Sequence, residues 1–160
     1  MRKWIVLASV VALVAVPVVV FAAARGSTPV NCIASQWRSS PTSTSSTHWS
    51  PVAGLQTNIS QARPVVINVS ALVSGARAGF RVRTVNIGGQ HRTSRPGATI
   101  FDPGSGPNSF AYQWIDLGNA AAEHSLAVHL QWRSLTGGAV HMLRGDMTEA
   151  YATDHCPGAP

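Results

Sequence analysis

From Leu55 onward, apolar and polar residues alternate along the chain in short runs that Gly, Pro and Asn separate. Alternation with a period of two is typical of β-strands that bury one face, and no segment shows sustained helical periodicity. The pattern therefore predicts an all-β fold: a two-sheet antiparallel β-sandwich over residues 55–156, most simply a jelly roll.

The strands follow from the same pattern. They are predicted at residues 63–74, 80–87, 98–101, 109–117, 125–134 and 139–152. Gly88–Gly89 is expected to be a tight turn, and residues 136–138 a hairpin turn. The apolar phase moves within residues 80–87, which indicates a bulge or a strand covered on both faces. Gly145 suggests a bulge in the last strand.

The first 24 residues have the pattern of an export signal. A charged start precedes an apolar run from Trp4 to Phe21, and Ala22–Ala24 is a small-residue cleavage site. The run approaches the length of a membrane span, so an uncleaved anchor is the alternative, and it would be the chain's membrane contact. We expect one domain that is secreted or held in the cell envelope.

The chain has two cysteines, Cys32 and Cys156, near opposite ends of the exported part. In an oxidising compartment we expect a disulfide between them, which would hold the N-terminal segment alongside the last strand. Residues 39–51 are rich in Ser, Thr and Pro, and they are predicted to be a tether or an irregular surface segment within residues 25–54. Residues 157–160 form a C-terminal tail.

One stretch resembles a known family. An alternating strand from His124 that ends in Gln131-Trp132-Arg133, a turn at Gly137-Gly138 and a return through Leu143-Arg144-Gly145-Asp146-Met147 are similar to the closing hairpin of bacterial and phage-type jelly-roll domains. Those domains look like the globular heads of the complement and tumour necrosis factor type. Glu123 stands where their pattern has glycine. The resemblance implies a jelly roll that binds partners and often trimerises, and it transfers no functional residue.

Charge is distributed unevenly along the sequence. Eight arginines and no acid lie between Arg25 and Phe101, whereas all six acids lie from Asp102 onward. The candidates for contact with an anionic ligand are Arg77, Arg81, Arg83, His91, Arg92 and Arg95. Guanidinium groups bind phosphate, sulfate and carboxylate in a bidentate manner, so an anionic envelope polymer, a lipid headgroup or an extracellular protein is the expected partner. Nucleic acid is not expected for an exported chain. The alternative is that these arginines only keep the surface soluble.

Trp37 and Trp49 flank the Ser/Thr-rich segment and are candidates for stacking on a ligand such as a sugar. Trp114 and Trp132 instead fall in phase with inward residues, which predicts that they lie in the core.

Catalysis and metal binding have weak support in the sequence. His129 and His141 lie on the two arms of the predicted hairpin and could face the same side, but there is no H-x-H or H-E-x-x-H motif, so no metal or other cofactor is expected. There is no G-x-S-x-G motif. Asp146 and Glu149 are three residues apart, so on a regular strand they face opposite sides.

We therefore expect a non-catalytic binding or structural protein that self-associates or binds an extracellular partner. A secreted hydrolase and a carbohydrate-binding module are the alternatives. A histidine that meets a serine and an aspartate in a cleft would favour the hydrolase, and an exposed row of aromatic rings would favour the sugar binder. A flat apolar flank would favour self-association.

Overall fold

The computed structural model describes residues 30–59, 64–86, 88–117 and 126–153, and these form two antiparallel sheets. Sheet I contains β1 (Val30–Arg38), β2 (Thr42–Thr44), β4 (Val65–Gly75), β8 (Asn108–Asp116) and β10 (Val140–Thr153). Sheet II contains β3 (Ser50–Ile59), β5 (Ala78–Asn86), β6 (His91–Thr93), β7 (Thr99–Phe101) and β9 (Leu126–Ser134). The described ranges contain no helix that is long and apolar enough to cross a membrane.

The strand order confirms the predicted sandwich. Sheet I has the order β1-β10-β4-β8, with β2 beside the start of β10, and sheet II has the order β3-β9-β5-β6, with β7 also paired to β5. From β3 to β10 the long strands alternate between the two sheets, which is the arrangement of a jelly roll. Every pairing between named strands is antiparallel.

The inner faces of both sheets form one apolar core. The rings of Phe80 on β5 and Phe110 on β8 stack across the sandwich with centroids 4.6 Å apart. Trp114 and Trp132 are buried, as the alternation predicted, and the Trp114 indole N–H donates to the Gly97 carbonyl at 2.7 Å. This hydrogen bond satisfies the one polar group of a ring that is otherwise surrounded by apolar side chains.

One of the predicted turns is wrong, and the pairing of the strands tests the two predicted bulges. β9 and β10 belong to different sheets, so residues 136–138 connect the sheets and are not a hairpin turn. The pairing of β5 with β9 runs without a shift from Ala78 to Asn86, so of the two alternatives for this strand the bulge is not found in these residues. In β10 the register shifts between Met142 and Arg144, before Gly145. A Cβ atom at Gly145 would lie 2.9 Å from Leu55 Cδ1, so the glycine there serves close packing of the sheets.

The N-terminal part of the described chain contributes more strands than its sequence indicated. β1 pairs along the whole of its length with β10, β2 pairs with the start of β10, and β3 is an edge strand of sheet II. Residues 30–38 and 42–44 are thus part of sheet I, although residues 39–51 have the composition of a tether.

Several predictions fall outside the described residues. These are the export signal or anchor at residues 1–24, Cys156, and the tail at residues 157–160. Cys32 lies in β1, is 4% exposed, and is opposite Tyr151 of β10. The N-terminal segment therefore lies alongside the last strand, as the predicted disulfide requires, and the bond itself stays a prediction.

Candidate functional site

The outer face of sheet II carries a cluster of cations, which we call the cationic face. Its residues come from β5, β6, β9 and the segment before β3: Trp49, Arg81, Arg83, His91, His129 and Arg133. The register brings them together, since Arg81 pairs with Gln131 and Arg83 pairs with His129 on one side and Thr93 on the other. Side chains alternate along each strand, so these cations face away from the core.

The Trp49 indole contacts two guanidinium groups. Arg81 is 4.4 Å and Arg133 is 4.7 Å from the centroid of the ring. The Arg81 Nε–H also donates to Gln131 Oε1 at 2.8 Å, and Gln131 is only 8% exposed. Gly79 makes room for the indole, because a Cβ atom at that position would lie 3.1 Å from Trp49 Cη2. The cation–π contacts hold both arginines in defined positions across the face, and the hydrogen bond to Gln131 further restrains Arg81.

The cations of this face repel one another. The pKa of Arg81 is lowered by partial burial, then by Arg83 and Arg133. The pKa of His129 is lowered by partial burial, then by His91 and Arg83. No ion pair with a described carboxylate neutralises Arg81, Arg83 or Arg133. An anion placed here would relieve this repulsion, so the face is electrostatically prepared for one.

The structure separates the cations that the sequence grouped. Arg81, Arg83 and His91 lie on the cationic face. Arg77 lies between β4 and β5 and forms a 3.6 Å ion pair with Asp102. Arg92 pairs with the buried Thr84 and so faces the opposite side of β6 from His91. The Arg95 backbone instead exchanges two hydrogen bonds with Ile115, at the edge of sheet I.

The outer face of sheet I differs in character from the cationic face. Trp37 is 72% exposed and borders a depression of about 370 Å³, whose lining includes Ser70, Ala111, Arg144 and Asp146. Trp37, Asp146, Ser70 and Ala111 form one row across four strands. Of the two tryptophans that were candidates for ligand stacking, Trp37 is free and Trp49 is covered by arginines.

The hypothetical metal pair is not assembled. His129 lies on β9 and His141 on β10, in different sheets, and each faces outward from its own sheet. The idea that they share a side was wrong because residues 136–138 do not form a hairpin. The described residues include no group of three metal-ligating side chains.

Asp146 and Glu149 do face opposite sides of β10, as their spacing predicted. Asp146 is half-buried on the outer face, whereas Glu149 is 0% exposed and lies inside the sandwich. Neither oxygen of the Glu149 carboxyl has a hydrogen-bond partner among the described residues, and burial raises its pKa to about 8. The two carboxyls therefore do not form a catalytic pair.

Arg133 and His129 belong to the cationic face but were not among the predicted ligand contacts. They lie in the second half of the sequence, whose balance of charge is acidic. The signal that could have found them is the alternation of β9, which places His129, Gln131 and Arg133 on one side. The pairing of β9 with β5 then determines that they meet Arg81 and Arg83.

Comparison with known proteins adds no functional assignment. No family model matches the chain, and no curated protein matches it. Among solved structures, the chain is similar to a chain in the structure of infectious bursal disease virus strain Gx, with 12% sequence identity and a TM-score of 0.31. The match covers 88% of this chain and 46% of that chain, so this chain spans less than half of the viral chain's length. A likeness this distant carries no argument about function.

Proposed function

We propose that this protein is an exported, non-catalytic binding protein whose cationic face holds an anionic polymer of the cell envelope. The observation that carries the proposal is the contact of Arg81 and Arg133 with the Trp49 ring, with Arg83 on the same face and no described carboxylate to neutralise the three cations. Arginines that Trp49 and Gln131 already hold in position lose little conformational entropy when an anionic ligand binds to them.

The spacing of the cations fits a ligand with several negative groups. Arg81 and Arg83 are two residues apart on one strand, which separates their Cα atoms by roughly 6–7 Å. Arg133 and His129 lie on the neighbouring strand, about 5 Å away across the sheet. One phosphate, sulfate or carboxylate can contact each guanidinium in a bidentate manner, so a polymer bridges sites that a single ion cannot.

The fold supports a binding role as well. The alternation of the long strands between the two sheets is what the resemblance to globular heads of the complement and tumour necrosis factor type implies, and those heads bind partners. Export and an extracellular location, which rest on the pattern of residues 1–24, are part of the proposal.

The test is the affinity of the purified protein for dextran sulfate, with neutral dextran as the reference polymer. Arg83→Gln removes one cation from the face without removing a contact to Trp49, and Arg95→Gln removes one cation elsewhere. We expect Arg83→Gln to weaken binding about tenfold, or about 1.4 kcal/mol, and Arg95→Gln to change it by less than about threefold. Equal effects of the two variants, or equal binding of both dextrans, would refute the proposal.

A further inference from the structure

We propose that this protein forms a two-fold symmetric dimer in which the outer faces of two copies of sheet I pack against each other. This proposal goes beyond anion binding, because it concerns the opposite side of the sandwich. Three features of that face support it: exposed apolar side chains, a depression next to an exposed indole, and two side chains of opposite charge that form no ion pair with a described residue.

The apolar side chains form a row across the sheet. Ile33, Ala150, Val66 and Ile115 are cross-strand neighbours on β1, β10, β4 and β8. Ile33 is 75% exposed and Ile115 is 37% exposed. Together with Trp37 they place large apolar side chains on both edge strands of one flat face. A polar row of Ser35, Thr148, Asn68 and Gln113 separates the Ile33 row from Trp37. Large apolar side chains that are exposed on one face of a sheet often mark a contact with another macromolecule.

Trp37 and the depression beside it suit a second copy of the same face. The depression forms because the small residues Ser70, Ala111 and Gly145 lie next to larger side chains. In a two-fold interface each surface feature meets its symmetry counterpart, so a protruding group and a neighbouring hollow can fill each other twice. The Trp37 indole and the depression therefore both lie within the surface that a second copy of the face covers.

The charges on this face are self-complementary. Arg144 and Asp146 are two residues apart on β10 and both line the depression. Within the described ranges, the Arg144 guanidinium makes no hydrogen bond or ion pair, and Asp146 accepts a hydrogen bond from the Thr148 hydroxyl at 3.2 Å. A two-fold axis that passes near Gly145 brings Arg144 of each copy to Asp146 of the other. A partner of one charge sign would leave one of these groups unpaired.

The outer face of sheet I is close to the size that a stable dimer interface needs. Four adjacent strands about 4.8 Å apart and roughly nine residues long present a surface of about 20 by 30 Å, before the relief of the side chains is counted. A stable protein–protein interface needs about 800 Å² of accessible surface from each partner. A sugar in the depression would leave Ile33 and Ile115 exposed, so these residues favour a protein partner over a saccharide.

A charge exchange tests the dimer directly. Size-exclusion chromatography with light scattering at about 50 μM gives the mass of the wild type and of Arg144→Asp, Asp146→Arg and the double variant. We expect a dimeric wild type, at least tenfold weaker association for each single variant, and a dimer again for the double variant. Arg83→Asp on the opposite face is the control, and it should stay dimeric.

Circular dichroism and thermal unfolding of each variant separate loss of association from loss of folding. A monomeric or trimeric wild type would overturn the proposal. So would folded single variants that remain dimeric, or a folded double variant that stays monomeric. Because Arg83 does not lie on this face, failure of the anion-binding proposal and failure of the dimer are distinguishable.

Discussion

The two outer faces of the sandwich have the same backbone geometry and opposite surface chemistry. On sheet I the outward positions carry Ile33, Val66 and Ile115 and leave the Trp37 indole exposed. On sheet II the outward positions carry arginines and histidines, and two guanidinium groups cover the Trp49 indole. The environment of each tryptophan therefore depends on the residues of the neighbouring strands and not on its own local sequence.

Two buried carboxyl groups inside the sandwich also differ from each other, in whether a described side chain donates a hydrogen bond to them. Asp116 on β8 is buried and accepts a hydrogen bond from the Thr84 hydroxyl on β5, which joins the two sheets. Glu149 on β10 is equally buried, but both its carboxyl oxygens lack a hydrogen-bond partner. Burial is the main cause that raises the pKa of Glu149 to about 8, and the negative charge of Asp146 raises it further. Glu149 therefore carries a proton at neutral pH.

The largest expected effect concerns this carboxyl. The folded protein holds the proton up to about pH 8, whereas the unfolded chain releases it near pH 4.5. The unfolded state thus binds fewer protons between these values, and the free energy of unfolding falls as the pH rises through them. From pH 4 to pH 9, we expect the free energy of unfolding of Glu149→Gln to fall by up to about 4 kcal/mol less than that of the wild type. Urea unfolding at each pH measures this difference.

Asp102→Asn serves as the control, because the Asp102 side chain is 62% exposed. Its profile should follow the wild type within about 0.5 kcal/mol. Parallel profiles of the wild type and Glu149→Gln would contradict the assignment of a buried, protonated carboxyl.

A smaller effect separates the two tryptophans. Trp49→Ala removes two cation–π contacts and the partly buried area beneath them, and should lower the free energy of unfolding by about 2 kcal/mol. Trp37→Ala should change it by less than about 0.5 kcal/mol, provided that unfolding is measured at a concentration low enough to keep the chain monomeric. Equal losses from both substitutions would remove the distinction between the faces.

The smallest expected effect is the pH dependence of anion binding. An anion on the cationic face opposes the repulsion that lowers the pKa of His129, so it raises that pKa and binding takes up protons. The affinity for dextran sulfate should therefore rise about threefold from pH 7.5 to pH 5.5. His129→Gln should flatten this rise, and His141→Gln, on the other sheet, should not. An affinity that is independent of pH would exclude His129 from the site.

Much of the fold could be predicted from period-two alternation, and the reasons for the failures are physical. β4 and β9 were found because each has inward Val, Leu or Ile at every second position. β2 was missed because it has no apolar residue, and β1 because two of its largest apolar side chains, Ile33 and Trp37, face outward and break the alternation. Residues 136–138 were taken as a hairpin turn because a short turn does not reveal which strands pair.

Only part of the cationic face could be predicted from the sequence, because local patterns do not specify which strands pair. A run of arginines marks β5 and β6 in the sequence, so Arg81, Arg83 and His91 could be named. Arg133 joins them through a pairing between strands about fifty residues apart, which local patterns cannot specify. The exposure of Trp37 likewise depends on the small residues that β4 and β8 place near it.

The most direct test of two faces with separate tasks is sedimentation equilibrium of the protein with a short sulfated oligosaccharide at saturating concentration. Separate faces predict a particle of two chains and two oligosaccharides, because neither ligand reaches the interface between the copies of sheet I. A dimer that dissociates as the oligosaccharide saturates it, or a chain that is monomeric throughout, would contradict the account.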